Sequence, residues 1–284
     1  MKKLIITGGN GQLGREINRI YAGNADIEII NTDVDDLDIT NLEAVKEFVA
    51  KEKPYAIINC AAHTAVDLCE YQEELAYKIN AIGPRNLAIA AKMNDCKLVH
   101  ISTDYVFAGD GNKPYREFDA PAPQGVYGAS KLAGEEMVKA FCDKYFIIRT
   151  AWLYGDGKNF VKTMLKLAET RDEINVVSDQ VGSPTSTKEL AKAVNELLFT
   201  DNYGLFHGTC EGVCSWADFA EEIFRLAGVN CKVNHITSDE YPAKAKRPAY
   251  SVLDNYMFKL TTNFAFADWH DALVDYMKWL KDNQ

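Results

Sequence analysis

The sequence predicts an α/β protein built on a doubly wound parallel sheet, with a smaller, interleaved C-terminal lobe. Three observations carry this. Short runs rich in Ile and Val recur through the first 150 residues. Stretches with helical spacing alternate with them, and the first run passes directly into a glycine-rich turn. Apolar strands without polar alternation are covered on both faces, and strand–helix alternation gives right-handed βαβ units.

In chain order, residues 3–7, 27–32, 56–60, 98–102 and 146–150 read as buried strands. Residues 13–21 have helical apolar spacing. Thr40-Asn41-Leu42-Glu43 reads as a capping box opening a helix toward Lys51. Residues 73–93 read as a long helix that Gly83-Pro84 either bends or truly begins. Residues 127–145 read as another helix. The loop 104–125 is long and rich in Gly, Pro and Asp, which suits a functional segment. Past residue 150 the rhythm is mixed. Helices are expected over 159–170, 187–199 and 268–281, and another runs from Ser215-Trp216-Ala217-Asp218 to Gly228. Strands are expected over 174–177, 205–209 and 232–236.

The 284 residues are 47% hydrophobic and 25% charged, which excludes a disordered chain, a collagen and a coiled-coil rod. The net charge of −10 argues against nucleic-acid binding, yet leaves room for a locally basic pocket. No run approaches the roughly 18 apolar residues of a membrane helix. Leu4-Ile5-Ile6 is too short for the apolar part of a secretory leader. Seven scattered cysteines suit reduced thiols in a cytoplasmic protein. His207, Cys210 and Cys214 lack a second ligand pair, so no metal is assigned.

Residues 3–7 lead into Gly8-Gly9-Asn10-Gly11-Gln12-Leu13-Gly14. Glycines at 8, 11 and 14 at a strand-to-helix turn fit a pyrophosphate: the turn needs glycine's freedom, and the helix start offers N–H groups. This is the first βα turn of a Rossmann-type sheet. Asp33 follows the second strand, 19 residues after Gly14, where a carboxylate meets ribose hydroxyls. Arg15 is an alternative partner for a 2′-phosphate, although a solvated helix-face arginine is the plainer reading. Residues 1–150 are thus expected to bind a dinucleotide, with 187–199 returning to that domain. Residues 151–284 are expected mainly to hold the substrate.

Tyr127 and Lys131 are four apart at a helix start and share one face. Thr103 and Asp104 stand at the carboxyl edge of the sheet, where open α/β sheets bind ligands. A tyrosine is a poor acid–base group at neutral pH, and a nearby ammonium is expected to pull its pKa down. With a threonine hydroxyl beside it, the trio suits hydride transfer at a carbonyl carbon with a proton moving on the oxygen.

Together with Asn59-Cys60-Ala61-Ala62-His63-Thr64-Ala65-Val66-Asp67, Ser102 to Phe107, Tyr127 to Glu135, Arg149 to Gly155, Asp179 to Thr185 and Arg247-Pro248, these motifs span essentially the whole chain. The sequence resembles the extended short-chain dehydrogenase/reductases and, among them, the dTDP-4-dehydrorhamnose reductase family. The resemblance implies NADH or NADPH as cofactor and a nucleotide sugar as substrate, and it allows a homodimer. It implies Tyr127 as proton donor beside Lys131 and Thr103. It places Gly11, Gln12, Leu13, Asp33, Asp38, Ile39, Ala62, His63 and Thr64 on the dinucleotide, and Thr103, Asp104 and Trp152 on the nucleotide sugar. At His63 the backbone weighs more than the ring. On the residues alone Trp152 reads equally as core. Arg247, in Lys244-Ala245-Lys246-Arg247-Pro248, reads equally as a diphosphate fork or a solvated loop residue. Some members of the family carry magnesium at a subunit interface. No carboxylate cluster marks such a site here, and Lys188 opens the following helix. Related 4,6-dehydratases have an Asp-Glu pair where this chain has Asp104-Tyr105. Two other readings stand beside the reductase: an epimerase or dehydratase on the same scaffold, and a silent regulatory subunit resembling that of methionine adenosyltransferase.

Overall fold

The computed structural model describes residues 1–241 and 243–283; Pro242 and Gln284 lie outside it. Strands β1 (Lys2–Thr7), β2 (Ile27–Thr32), β3 (Ala56–Asn59), β4 (Lys97–Thr103) and β5 (Tyr145–Thr150) join Gly204–His207 in one six-stranded sheet. Every pairing in it is parallel, and the order is β2, β1, β3, β4, β5, then Gly204–His207. The chain steps outward from β1 to β2, then crosses back to β3. The strand order therefore reverses at β1–β3, and a crevice opens at the carboxyl ends there.

Successive residues of a strand point to opposite faces. Leu4, Ile6, Ile58, Val99 and Ile148 pack on one face under helix α1 (Gln12–Tyr21) and helix Thr187–Leu198. Ile5, Ile57, Leu98 and Ile147 pack on the other, under α2 (Leu42–Glu52), Gly83–Met93 and Val126–Phe141. Both faces are buried, which explains the unbroken apolar runs. Leu190, Val194 and Leu197 of helix Thr187–Leu198 are fully buried against the first face.

A second core lies in the C-terminal lobe. Tyr154, Val161, Phe219, Ile223 and Leu273 gather helices Phe160–Ala168, Trp216–Ala227 and Trp269–Asp282 over a parallel pair, Glu173–Val177 with Lys232–Ile236. Ser215 and Asp218 form a full capping box there, and Gly228 ends the helix in the left-handed region.

Local details differ from expectation. The cap of α2 is Asn41, whose side chain accepts from the Ala44 N–H; the Thr40–Glu43 box does not form. Asp38 takes the Thr40 hydroxyl instead, at 2.7 Å. The helix from Tyr127 ends at Phe141, because Tyr145 already begins β5. The stretch 73–93 is helical throughout, as expected, and does not begin only at Gly83. Glu73–Tyr77 and Gly83–Met93 are joined by a π-turn, Lys78–Ile82. Pro84 has no N–H to give the Asn80 carbonyl four residues back, so regular pairing fails there. Helix Val126–Phe141 packs on that carbonyl through Gly134, where a Cβ would stand 2.1 Å from the oxygen.

Candidate active site

A cleft of about 800 Å³ lies at the reversal point of the sheet, within the range of small-molecule sites. Its walls include Gly8, Gly11, Gln12, Leu13, Asp33, Asp38, Ile39, Ala62, Thr64, Thr103, Asp104, Tyr127, Lys131 and Trp152. Residues expected on the dinucleotide and on the substrate therefore share one cavity.

The glycine turn is built by close approach. Gly8 has φ +64°, and a Cβ there would lie 2.7 Å from the Ala61 nitrogen. A Cβ on Gly14 would fall 2.6 Å from the Gly8 oxygen, so Gly14 packs the turn rather than lining the cleft. Gly11 caps α1 without a side chain. These features fit a dinucleotide diphosphate, which needs backbone near it and N–H groups toward it. Asp33 accepts from the Asn10 N–H at 3.2 Å and so lies across the turn. Asp38 lines the cleft, but its carboxylate is held by Thr40, which keeps it below the usual carboxylate range. The Ile39 carbonyl is taken by Asn86 at 3.0 Å.

Three expected residues stand outside the lining. His63 donates its backbone N–H to Asn80 at 2.8 Å, and its ring faces Gln72 at 3.2 Å. Asn80 also donates to the His63 carbonyl and to Ser130, which ties the loop after β3 to the Tyr127 helix. Arg247 forks onto Asp67, with Nη2 2.9 Å from Oδ2, so its charge already has a partner. Gly14 is the third. Arg15 binds the Asp156 carbonyl from α1 rather than standing free.

At the β4 end of the cleft, helix Val126–Phe141 brings in Tyr127 and Lys131. Lys131 is buried, and its Nζ donates to the Ile101 carbonyl at 2.6 Å. Burial lowers its pKa to about 8 against the opposing pull of Glu135. Tyr127 departs from expectation. Burial pushes its phenol up, the Thr103 hydroxyl beside it pulls the other way, and Lys131, whose Nζ bonds the Ile101 carbonyl, does not offset the burial. Asp104 is buried beside Thr103, and desolvation raises it to about 7. His207 is turned to the Tyr115 carbonyl and the Phe107 ring. Among the described residues no three His, Cys, Asp or Glu side chains gather as a metal site.

Sequence reasoning missed Trp216. It lines the cleft and stacks on Trp152, with ring centroids 3.6 Å apart and planes within 9°. Trp152 has φ +49°, and a Cβ on Gly182 would stand 2.6 Å from its indole. Such backbone strain clusters at functional sites. The only local signal was the Ser215 cap, which sets Trp216 in a first helical turn.

Comparison with known proteins agrees with this geometry. The model of the RmlD substrate binding domain matches residues 1–281. The spore coat polysaccharide biosynthesis protein SpsK of Bacillus subtilis is 42% identical over 98% of each chain. A crystal structure of a dTDP-4-dehydrorhamnose reductase from Clostridium acetobutylicum superposes with a TM-score of 0.97 at 57% identity, covering 98% of this chain and 99% of that one. A dTDP-4-dehydrorhamnose reductase from Bacillus anthracis, solved in complex with NADP, gives 0.96 at 45% identity over 98% and 100%. The fold, the cleft and these likenesses agree, and the chain belongs to the RmlD substrate binding domain family.

Proposed function

We propose that this protein reduces the 4-keto group of dTDP-4-dehydro-L-rhamnose to dTDP-L-rhamnose with NADH or NADPH. The observation that carries the reading is the single cleft that joins the glycine turn to Thr103, Tyr127 and Lys131. Relatives named for the same reaction support it.

The nicotinamide cofactor, when bound, supplies a hydride to the carbonyl carbon. Gly8, Gly11, Gln12 and Leu13 hold its diphosphate, and Asp33 holds its adenosine ribose. Tyr127 gives its phenolic proton to the carbonyl oxygen as that oxygen gains charge. Lys131 keeps a cation next to the phenol side of the cleft, and Thr103 bonds the same oxygen. Trp152, backed by Trp216, faces the nucleotide sugar.

In this reading residues 1–150, with 187–199, serve the dinucleotide, and 151–284 serve mainly the substrate. The protein works in the cytoplasm, with neither nucleic acid nor membrane as partner, and the family resemblance allows a homodimer. The acidic balance speaks against nucleic acid. Among the described residues no helix is long and apolar enough to cross a membrane.

The test is to incubate the protein with NADH or NADPH and dTDP-4-dehydro-L-rhamnose, following nicotinamide absorbance and the product by mass spectrometry. Loss of absorbance matched by dTDP-L-rhamnose supports the reading. Cofactor binding without turnover on any 4-keto sugar nucleotide points to the regulatory-subunit reading instead.

A further inference from the structure

Asp104 is 4% exposed, yet it lines the cleft. Its Oδ1 accepts a 2.8 Å hydrogen bond from the Thr103 hydroxyl. Its Oδ2 is buried with no hydrogen-bond partner among the described residues. The Thr103 oxygen also accepts the Tyr105 N–H at 3.3 Å, and its hydroxyl faces the Tyr127 phenol.

A threonine hydroxyl carries one proton, and a carbonyl oxygen only accepts. While Asp104 is ionised it holds that proton, and Thr103 offers the substrate oxygen a lone pair. Once Asp104 is protonated, it donates to the Thr103 oxygen, and the threonine proton turns into the cleft. We propose that Asp104 is a positioning residue whose protonated carboxyl aims the Thr103 hydroxyl at the substrate oxygen, so that the protonated form is the one that turns over.

The proposal rests on the reductase reading and adds no chemical step. Hydride still goes to the carbonyl carbon, the proton on oxygen still comes from Tyr127, and the Asp104 proton is not consumed. The groups facing Asp104 are Thr103 and Tyr105 on its own segment, Tyr127 from helix Val126–Phe141 and the Ser251 hydroxyl from the C-terminal half. All are uncharged near neutrality. The nearby cations are engaged elsewhere: Lys131 bonds the Ile101 carbonyl and Arg247 bonds Asp67. Cys69 also lies near Tyr127. Burial thus acts on Asp104 without a compensating cation, and its midpoint near 7 lies in the working range.

The experiment measures kcat, with cofactor and nucleotide sugar both saturating, from pH 6.0 to 7.5 in the wild type and in Asp104→Asn. A single group with a midpoint near 7 makes wild-type kcat fall about fourfold over that span. Asparagine does not titrate there, so the ratio between the two pH values in Asp104→Asn drops to near one. Lys131 adds a later decline near pH 8 in both proteins. Thr103→Val is the second variant: its residual turnover loses the same fall, because the hydroxyl that Asp104 aims is gone. A wild-type kcat that rises with pH over this span overturns the proposal. So does a full wild-type fall retained in Asp104→Asn or in Thr103→Val. Absence of wild-type turnover at every pH instead overturns the functional reading on which this rests.

Discussion

Glu135 and Arg149 form a forked ion pair that is cut off from solvent between a helix and the central sheet. Arg149 Nε lies 2.8 Å from Oε1, and Nη2 lies 2.7 Å from Oε2. Neither side chain is more than 1% exposed, and the Ser102 hydroxyl adds a third bond to Oε1 at 2.6 Å. The pair fixes helix Val126–Phe141 to β4 and β5, one turn beyond Lys131. Removing one partner leaves a buried charge unpaired, which costs about 3–5 kcal/mol, whereas replacing both with apolar residues is often neutral. Glu135→Gln is therefore expected to lower unfolding free energy by about that amount. The double change Glu135→Leu with Arg149→Met is expected to lose markedly less. Denaturant midpoints of the three proteins check this, and equal losses in both variants would contradict it.

Tyr127→Phe is expected to bind cofactor almost as the wild type does and to lose about 10²–10⁴-fold in kcat. The proposed acid is the phenol oxygen beside Thr103, while the ring packs edge-on against Tyr105, with centroids 5.4 Å apart, and a phenylalanine keeps that contact. Fluorescence titration of the cofactor alongside steady-state turnover separates the two effects. Near-wild-type kcat would remove Tyr127 from the acid role.

Cofactor choice is expected to lean toward NADH. The Asp33 carboxylate sits across the glycine turn, where it repels a 2′-phosphate, and Arg15 is engaged by Asp156 rather than free to bind one. Asp33→Ala is expected to shift the NADPH-to-NADH ratio of kcat/KM toward NADPH by about tenfold, or about 1.4 kcal/mol. A wild-type preference for NADPH that survives the change would show that Asp33 is not the selector.

Local pattern carried far in this chain, and it stopped where tertiary contacts decide. Ile5 and Ile6 face opposite sides of the sheet, and both are fully buried, so an unbroken apolar run correctly reads as a central parallel strand. The glycine turn and the Tyr127–Lys131 pair are contiguous in sequence and were legible for that reason. The π-turn at Lys78–Ile82 was not, because it needs both the missing N–H of Pro84 and the approach of Gly134 on the Asn80 carbonyl. Trp216 was missed because its partner Trp152 lies 64 residues away in sequence. Arg247 left the diphosphate fork and the solvated loop residue equally open because Asp67, which holds it, is 180 positions distant.

This protein is expected to reduce and not to dehydrate. Eliminating water from a sugar needs an acid at the leaving hydroxyl and a base at the neighbouring carbon, so two titratable groups must stand together near the hydride acceptor. The carboxylates lining the cleft are Asp33, Asp38 and Asp104. Asp33 lies over the glycine turn, and Asp38 is bound to Thr40, so both belong to the other end of the cavity. Asp104 is left alone beside Thr103 and Tyr127. The next position is Tyr105, whose phenol is raised by burial first and by the Asp104 charge second, which makes it a still weaker acid and leaves almost no phenolate to act as a base near neutrality. One carboxyl group cannot serve as acid and base on two carbons in the same step. Reduced cofactor is therefore consumed in proportion to product rather than regenerated within the site. The measurement is to supply dTDP-glucose with NAD⁺ and to follow a 4-keto-6-deoxy product by mass spectrometry. No loss of 18 mass units is expected over many turnover times of the reduction. Dehydration at a rate comparable to reduction would assign a second proton-transfer group to this cleft and displace the reductase-only reading.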